Sequence, residues 1–342
     1  YNDGFVLPMA IERATWLAVR PRTDRQVQVH SLDFPEPVHF SLDKLEKETG
    51  WGEYLKGLAY VLRAEGFQLT GWDGVLVSDV PIGAGLSSSA ALEMAAMRAY
   101  TAVAHLPWQP SRLARLAQRA DNEWVGVQSG VMDQMISANG RAGYALLIDC
   151  RDLSTQQLPL PVETAVLILD TMTRHSHAES GYNERRASCE QAAAFIGVPA
   201  LRDVSLQDFL AREAEMEPLM RRRARHVVSE NVRTLNAAVA MQNGDAQMLG
   251  RLMNDSHTSL RDDFEVTNEQ LDVMARLAQA QPGCFGARMT GGGFGGCAVA
   301  LVEAERAAEI GTAVAQAYTA ATGLEPQIYI SRPDEGTSIV PD

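Results

Sequence analysis

The chain has 342 residues, enough for two domains of ordinary size, and its 46% hydrophobic and 21% charged residues are those of a globular protein with a sizeable core. Its 43 acidic residues against 30 basic ones leave a formal charge of −13, a field that repels phosphate backbones and argues against nucleic acid as a partner. No stretch approaches the roughly 18 apolar residues of a membrane span and no signal peptide is expected; Cys150, Cys189, Cys284 and Cys297 stand too far apart for a zinc site or a disulfide framework, so a reducing, cytoplasmic setting is expected.

In chain order, Tyr1-Asn2-Asp3-Gly4 is turn chemistry that runs straight into an apolar segment, a way to continue a domain rather than to open one. Residues 5–45 read as short strands, 14–19 and 27–30 among them, broken at Pro21 and Asp33. Residues 51–65 read as a helix and 74–80 as a strand. That strand runs into Pro81-Ile82-Gly83-Ala84-Gly85-Leu86-Ser87-Ser88-Ser89, followed by an Ala/Leu/Met-rich helix to about 104 and another over 110–124. Strands are expected at 145–149 and 165–169, on either side of a domain junction near 160. Helices are expected over 183–196, 218–242, 245–254 and 268–280. Strands at 286–289 and 297–302 flank a glycine loop, and a helix over 304–322 and a strand over 326–331 finish the chain. The class is α+β, with domains at 1–160 and 161–342.

Three segments carry chemistry. In the first, Gly83 and Gly85 let backbone N–H groups approach a ligand, and the serines stand where a helix begins, so unpaired N–H groups and positive potential suit phosphate there. No Lys follows as in a Walker loop, and Ser88 stands where a dinucleotide fingerprint needs its third Gly or Ala. A serine-rich helix cap is the alternative. The second is Gly126-Val127-Gln128-Ser129-Gly130-Val131-Met132-Asp133-Gln134-Met135. A carboxylate such as Asp133 can accept the proton of a hydroxyl nucleophile during phosphoryl transfer, or it can cap a helix; Asp121 and Glu123, upstream, are candidates for a metal. The third is Thr290-Gly291-Gly292-Gly293-Phe294-Gly295-Gly296, costly for folding unless the backbone takes positive φ or lies against a ligand, the alternative being a loose hairpin tip. The basic run Arg221-Arg222-Arg223, Arg225 and His226 reads as a solvated, ion-paired helix face, and His175 and His177 as polar loop residues.

The order of these motifs, P-x-G-A-G-L-S-S-S-A, then G-V-M-D-Q, then T-G-G-G-F-G-G, resembles the GHMP kinase superfamily, and within it the galactokinase family. Tyr1 to Pro8 is similar to the tail of that family's signature. Arg174-His175-Ser176 with Tyr182 and Arg185-Arg186, the segment Arg223–Asn231 and the segment Ser259–Val266 add to the likeness, which spans nearly the whole chain. The resemblance implies a two-domain fold: an N-terminal domain with a left-handed β-α-β unit and a ferredoxin-like α+β C-terminal domain, with ATP and sugar meeting in the cleft. It implies transfer of the γ-phosphoryl group of ATP to the anomeric hydroxyl of galactose, with Mg²⁺. Asp133 would be the catalytic base. Gly83, Ala84, Gly85, Leu86, Ser87, Ser88, Ser89 and Arg174 would bind ATP, with Ser88, Ser89 and Asp121 at the metal. Asn2, Gly130, Asp133, Tyr182, Gly292 and Gly293 would contact the sugar. Asp121 stands where the family has a Glu, a shorter reach. The family's Arg, Glu-His pair and Asp just before Tyr1 are not in this sequence, which is expected to be trimmed at its start. Galactose and ATP are the expected partners, with no nucleic acid or membrane, and a monomer or weak dimer is expected. A kinase for an amino sugar, uronic acid or arabinose is an alternative, as is a galactose-sensing pseudokinase, against which Ser88, Ser89 and Ala90 speak.

Overall fold

The structure is a computed structural model that describes residues 1–174 and 178–340. Its elements are β1 (Phe5–Val6), β2 (Thr15–Pro21), β3 (Gln26–Ser31), β4 (Val38–Ser41), α1 (Gly52–Ala64), β5 (Trp72–Ser78), α2 (Ser88–Val103), α3 (Pro110–Ala120), α4 (Met132–Asn139), β6 (Tyr144–Asp149), β7 (Thr155–Pro159), β8 (Thr164–Asp170), α5 (Ala178–Ile196), α6 (Leu206–Arg212), α7 (Pro218–Gln242), α8 (Ala246–Ser259), α9 (Glu269–Gln279), β9 (Cys284–Met289), β10 (Cys297–Glu303), α10 (Ala307–Thr322) and β11 (Gln327–Ser331). The fold class is α+β, as expected. The sequence pattern did not anticipate α4, β7 or α6, which are too short for a periodic signal.

Two compact units form. One, here the C-terminal unit, holds residues 1–7, 83–86 and 143–332; the other, the N-terminal unit, holds 8–82, 87–142 and the chain from Pro333 onward. The units thus divide the chain at more places than the single boundary at 160 expected from the sequence. The reason lies partly in β6 and β7, which form a sheet in the order β1-β6-β7, with Phe5 opposite Asp149, so residues 144–159 fold with the C-terminal unit.

In the N-terminal unit the sheet runs β2-β5-β3-β4, with β3 and β5 parallel and their connection passing through β4 and α1. Leu55, Leu58, Ala59 and Leu62 recur on one face of α1 and are fully buried, while Glu53 in its first turn and Arg63 in its last suit the helix dipole. Across from them lie Val27, Val29 and Trp72 of the sheet and Met94, Met97 and Tyr100 of α2, all at 0% exposure. Trp72 meets Tyr100 edge-on at 5.4 Å, and the Tyr100 hydroxyl donates to the Leu55 carbonyl. Ala90 and Ala96, also fully buried, keep α2 close to its neighbours.

The C-terminal unit is built on an antiparallel sheet in the order β11-β8-β10-β9. Strand β8, then helices, then the β9–β10 pair, then α10 and β11 is the split β-α-β arrangement of a ferredoxin-like fold, as expected. Every residue of β8 is buried, which explains its unbroken apolar run. Helix α8 lies directly on β9. A side chain at Gly250 would stand 2.1 Å from the Phe285 carbonyl oxygen, and one at Gly286 2.0 Å from the Gly250 carbonyl oxygen, so these glycines permit backbone-to-backbone contact.

The basic run on α7 is ion-paired but not wholly solvated. Arg222 and Arg225 pair with Glu265 and Glu213, whereas Arg223 is 2% exposed and binds the Asp263 carbonyl and Glu265, and His226 is buried against the Phe264 ring. A guanidinium satisfied by a carbonyl and a carboxylate can be buried where a bare one cannot. His175 and His177 lie outside the described residues.

Candidate active site

The phosphate-type loop leaves β5 through Pro81 and turns at Gly83 (φ 70°) and Gly85 (φ 76°). Both are left-handed positions that glycine takes at little cost. Ala84 between them is fully buried. Ser87 stands at the N-cap of α2 with φ 60°, and its side chain makes no capping bond. The serine-cap alternative is therefore not what forms. The Ser87 hydroxyl instead stands near enough to Asp133 to lower its carboxyl, and a non-glycine residue held at positive φ marks strain retained by its surroundings.

Asp133 lies in the first turn of α4, whose N-cap is Val131, so it is not a cap either. Burial pushes its carboxyl above the usual carboxylate range, the Ser87 hydroxyl pulls it back, and the charge of Asp121 pushes it up again. A carboxylate whose proton affinity is raised by desolvation is suited to accept a proton near neutral pH. Gly130 stands three residues earlier, in the turn that leads into α4.

Behind Asp133 lies a cluster that sequence reasoning missed. Gln134 Nε2 donates to Glu93 Oε2 at 2.9 Å and to Asp121 Oδ2 at 3.0 Å, and Ser129 Oγ donates to the same Asp121 oxygen at 2.9 Å. Glu93, Asp121 and Gln134 are 0%, 4% and 2% exposed. Burial and the neighbouring Asp121 push the Glu93 carboxyl well above its ordinary range. The signal was present: Glu93 is the one acid on α2, one turn after Ser89, and residues four apart share a helix face. Asp121 itself opens a π-helical turn, Asp121–Val125, rather than lying within a regular helix. Glu123 pairs with Arg119 at 3.2 Å.

The residues fit a divalent cation in one respect. Glu93 Oε1 and Asp121 Oδ1 are buried oxygens without a hydrogen-bond partner, and two carboxylates withdrawn from water call for a proton or a cation between them. Among the described residues no group of three or more His, Cys, Asp or Glu is placed to hold a metal, so serine hydroxyls, phosphate and water would complete the shell, as is usual for Mg²⁺.

In the C-terminal unit the glycine loop joins β9 to β10. Gly291, Gly293, Phe294, Gly295 and Gly296 all take positive φ. The loop lies against the first loop's backbone: a side chain at Gly291 would stand 3.0 Å from the Gly85 carbonyl oxygen, and one at Gly296 2.8 Å from that of Ala84. Gly293 abuts Val266 O, whereas nothing lies within 4 Å of a side chain placed at Gly292. The hairpin-tip alternative is excluded by this packing. Arg174 passes beside Gly83, within 3.8 Å of where its side chain would be, and is clamped in two bonds to Asp170, which is 1% exposed. Asp170 was not singled out in the sequence.

The amino-terminal strip is tied down residue by residue. Tyr1 meets Tyr182 edge-on at 5.1 Å, the Asn2 side chain lies near Cys189, whose thiol burial pushes up to about 11, Arg202 donates to the Asp3 carbonyl at 2.9 Å, and the Phe5 N–H donates to Asn231 Oδ1 at 3.2 Å. Asn2 and Tyr182 are thus brought into one neighbourhood, while Leu86, Ser88 and Ser89 line the entry to α2.

Comparison with known proteins agrees with these features. Residues 53–141 match the model for the GHMP kinases N terminal domain, 237–320 that for GHMP kinases C terminal, and 1–21 the galactokinase galactose-binding signature. The chain is 47% identical to a galactokinase of Roseiflexus sp., over 100% of this chain and 89% of that protein. It is 46% identical to one of Chloroflexus aggregans, over 99% and 89%. The structure of Lactococcus lactis galactokinase complexed with galactose superposes with a TM-score of 0.94 at 34% identity, over 99% of this chain and 90% of that one. A mevalonate kinase, at 16% identity, 97% and 94% coverage and a TM-score of 0.66, shares the fold. With near-half identity to galactokinases over its whole length, the chain belongs to the galactokinase family of GHMP kinases and is a sugar kinase.

Proposed function

We propose that the protein transfers the γ-phosphoryl group of ATP to the anomeric hydroxyl of galactose, giving galactose 1-phosphate and ADP, with Asp133 as base. The observation that carries this is the nearness of Ser87, which ends the phosphate-type loop, to the buried Asp133: the start of α2 and the proposed base stand side by side. The anomeric oxygen gives its proton to Asp133 and bonds to the γ-phosphorus as the bond to the β,γ-bridging oxygen breaks. Backbone N–H groups of Gly83–Leu86 and the start of α2 at Ser87–Ser89 receive phosphate oxygens, with Arg174 adding positive charge.

Ser88, Ser89 and Asp121 would hold Mg²⁺, with Ser89 favoured because it shares a helix face with Glu93; the ion neutralises phosphate charge when bound. Asn2, Gly130, Tyr182, Gly292 and Gly293 are the proposed sugar contacts, supported by the match of residues 1–21 to the galactose-binding signature. The pseudokinase and other-sugar alternatives gain no support from the relatives found. A cytoplasmic setting is supported by the four free cysteines. An ADP-release assay with galactose, galactosamine, galacturonate, arabinose and mevalonate tests the function: strong release on galactose alone is expected, and release only on another acceptor overturns it.

A further inference from the structure

We propose that Phe294, the one large side chain of the glycine loop, is a positioning residue: its ring, seated on Gly181 of α5, locks the loop to the helix that carries Tyr182, so that the phosphate-side and sugar-side contacts of the C-terminal unit are set together. The proposal rests on the kinase reading above and goes beyond it in assigning the coupling to one ring and one glycine.

Phe294 takes φ 61°, a conformation that a bulky residue adopts only where its surroundings impose it. Three contacts impose it. Its N–H donates to the Val266 carbonyl at 2.7 Å. Its ring lies where a side chain on Gly181 would come within 2.5, 2.7 and 3.1 Å of three ring carbons. The guanidinium of Arg185 stands over the ring at 5.6 Å, within the range of cation–π attraction. Arg185 is itself fixed, donating to the carbonyls of Phe264 at 2.6 Å and Glu265 at 2.7 Å, next to the Val266 that receives Phe294. Loop, helix α5 and the 264–266 segment therefore close on one another through a single ring.

What this lock holds lies on both sides of it. Gly291 and Gly296 abut the backbone of Gly85 and Ala84, and Gly296 N–H donates to the Thr173 carbonyl beside Arg174 at 2.9 Å. On the other side Gly181 directly precedes Tyr182, whose ring meets Tyr1. A glycine-rich segment without an anchor samples many conformations; the ring restricts this one to the conformation in which Gly291 and Gly296 meet the phosphate-type loop. Release of the ring frees the loop and lets α5 shift at Gly181.

The test measures kcat and both KM values for wild type, Phe294→Leu, Phe294→Ala, Gly181→Ala and the Gly181→Ala/Phe294→Ala double variant, together with ADP binding by calorimetry. All are measured well below each variant's melting temperature. Phe294→Ala is expected to raise the KM for galactose and for ATP by about 3- to 30-fold each, with Phe294→Leu between it and wild type. Gly181→Ala, which pushes the ring out, is expected to do the same in the wild-type background and to add nothing once the ring is gone. A role confined to stability would lower melting temperatures and leave both KM values within twofold, which overturns the proposal; so do penalties at Gly181 and Phe294 that multiply. If Phe294→Ala does not fold, Phe294→Leu and Gly181→Ala decide. If wild type fails to phosphorylate galactose, the functional reading fails, while the same pattern in ADP affinity still tests the lock.

Discussion

The two glycine-bearing loops look alike in the sequence and differ in what their glycines are for. At Gly83 and Gly85 a side chain would meet nothing closer than 3.8 Å; these glycines provide positive φ and an approachable backbone. At Gly291, Gly293 and Gly296 a side chain would run into backbone carbonyls at 3.0, 2.1 and 2.8 Å; these provide room for one stretch of main chain to lie on another. The first loop is open at its glycines and the second is packing material against neighbouring main chain. Asp133, Glu93 and Asp121, the proposed reactive side chains, belong to neither loop and stand in the N-terminal unit.

The largest effect is expected where the chemistry is concentrated. Asp133→Asn keeps the shape of the side chain and removes the base. It is expected to lower kcat by about 10²–10⁴-fold while ADP binding, set by the loops, stays near wild type. Single-turnover kinetics with calorimetry check this; near-normal kcat would place the base elsewhere, and lost ADP binding would mean that side-chain and loop functions are not separable.

Next in size is the packing loop. Gly293→Ala forces a methyl group onto the Val266 carbonyl at φ 83°, combining overpacking with left-handed strain, about 2–4 kcal/mol together. The melting temperature is expected to fall by roughly 5–15 °C, as calorimetric scanning would show. An unchanged melting temperature would mean that this loop yields as easily as the first one.

The units differ again in how they bury charge. Asp133 and Glu93 have carboxyls pushed up, whereas burial pushes His226 in the C-terminal unit down from 6.5 to about 4. The signs are opposite. Carboxyls raised by burial contribute stability below the ordinary carboxylate range and lose it as pH rises. His226, lowered, contributes stability that is complete above pH 6.5 and is lost as pH falls toward 4, up to roughly 3 kcal/mol. Urea unfolding at pH 7, 6, 5 and 4.5 is expected to show the C-terminal unit losing stability with acid, and His226→Gln to flatten that slope; an unaltered slope would show that His226 is not the group responsible.

Much of this was legible beforehand because it is local. The α1 pattern, the apolar β8 strand and the turn at Gly83–Gly85 are written in neighbouring residues, and the order of three motifs pointed to the family. What escaped is what the fold brings together over long separations. Glu93 meets Asp121 across 28 positions and Gln134 across 41. Arg174 is held by Asp170 only four residues earlier, and this pair escaped because that acid ends an apolar strand. For Ser87 the sequence offers phosphate binding, with a helix cap as the alternative, and only the folded chain brings it beside Asp133. The single domain boundary failed to anticipate the interleaved units because β1 pairs with a strand more than 130 residues later.

The smallest effect on the fold sharpens the loop comparison most. Gly85 takes φ 76°, and the atom nearest to an added side chain is the Thr290 carbonyl oxygen at 3.9 Å, an ordinary contact distance. Gly85→Ala therefore costs only the left-handed strain of one alanine, about 1–2 kcal/mol, and the melting temperature is expected to fall by only roughly 2–8 °C. The methyl group enters the space that the open glycine leaves beside the backbone N–H groups, where a phosphate oxygen would sit. Lengthening a charge-assisted hydrogen bond there costs more than the strain does, because a desolvated phosphate depends on those donors. ATP KM is thus expected to rise by about tenfold or more while Tyr182-side binding, measured as galactose affinity in the absence of nucleotide, stays unchanged. Were Gly85→Ala instead to unfold the protein as readily as Gly293→Ala and spare ATP KM, both loops would be packing devices, and the phosphate would have to be held by the start of α2 alone.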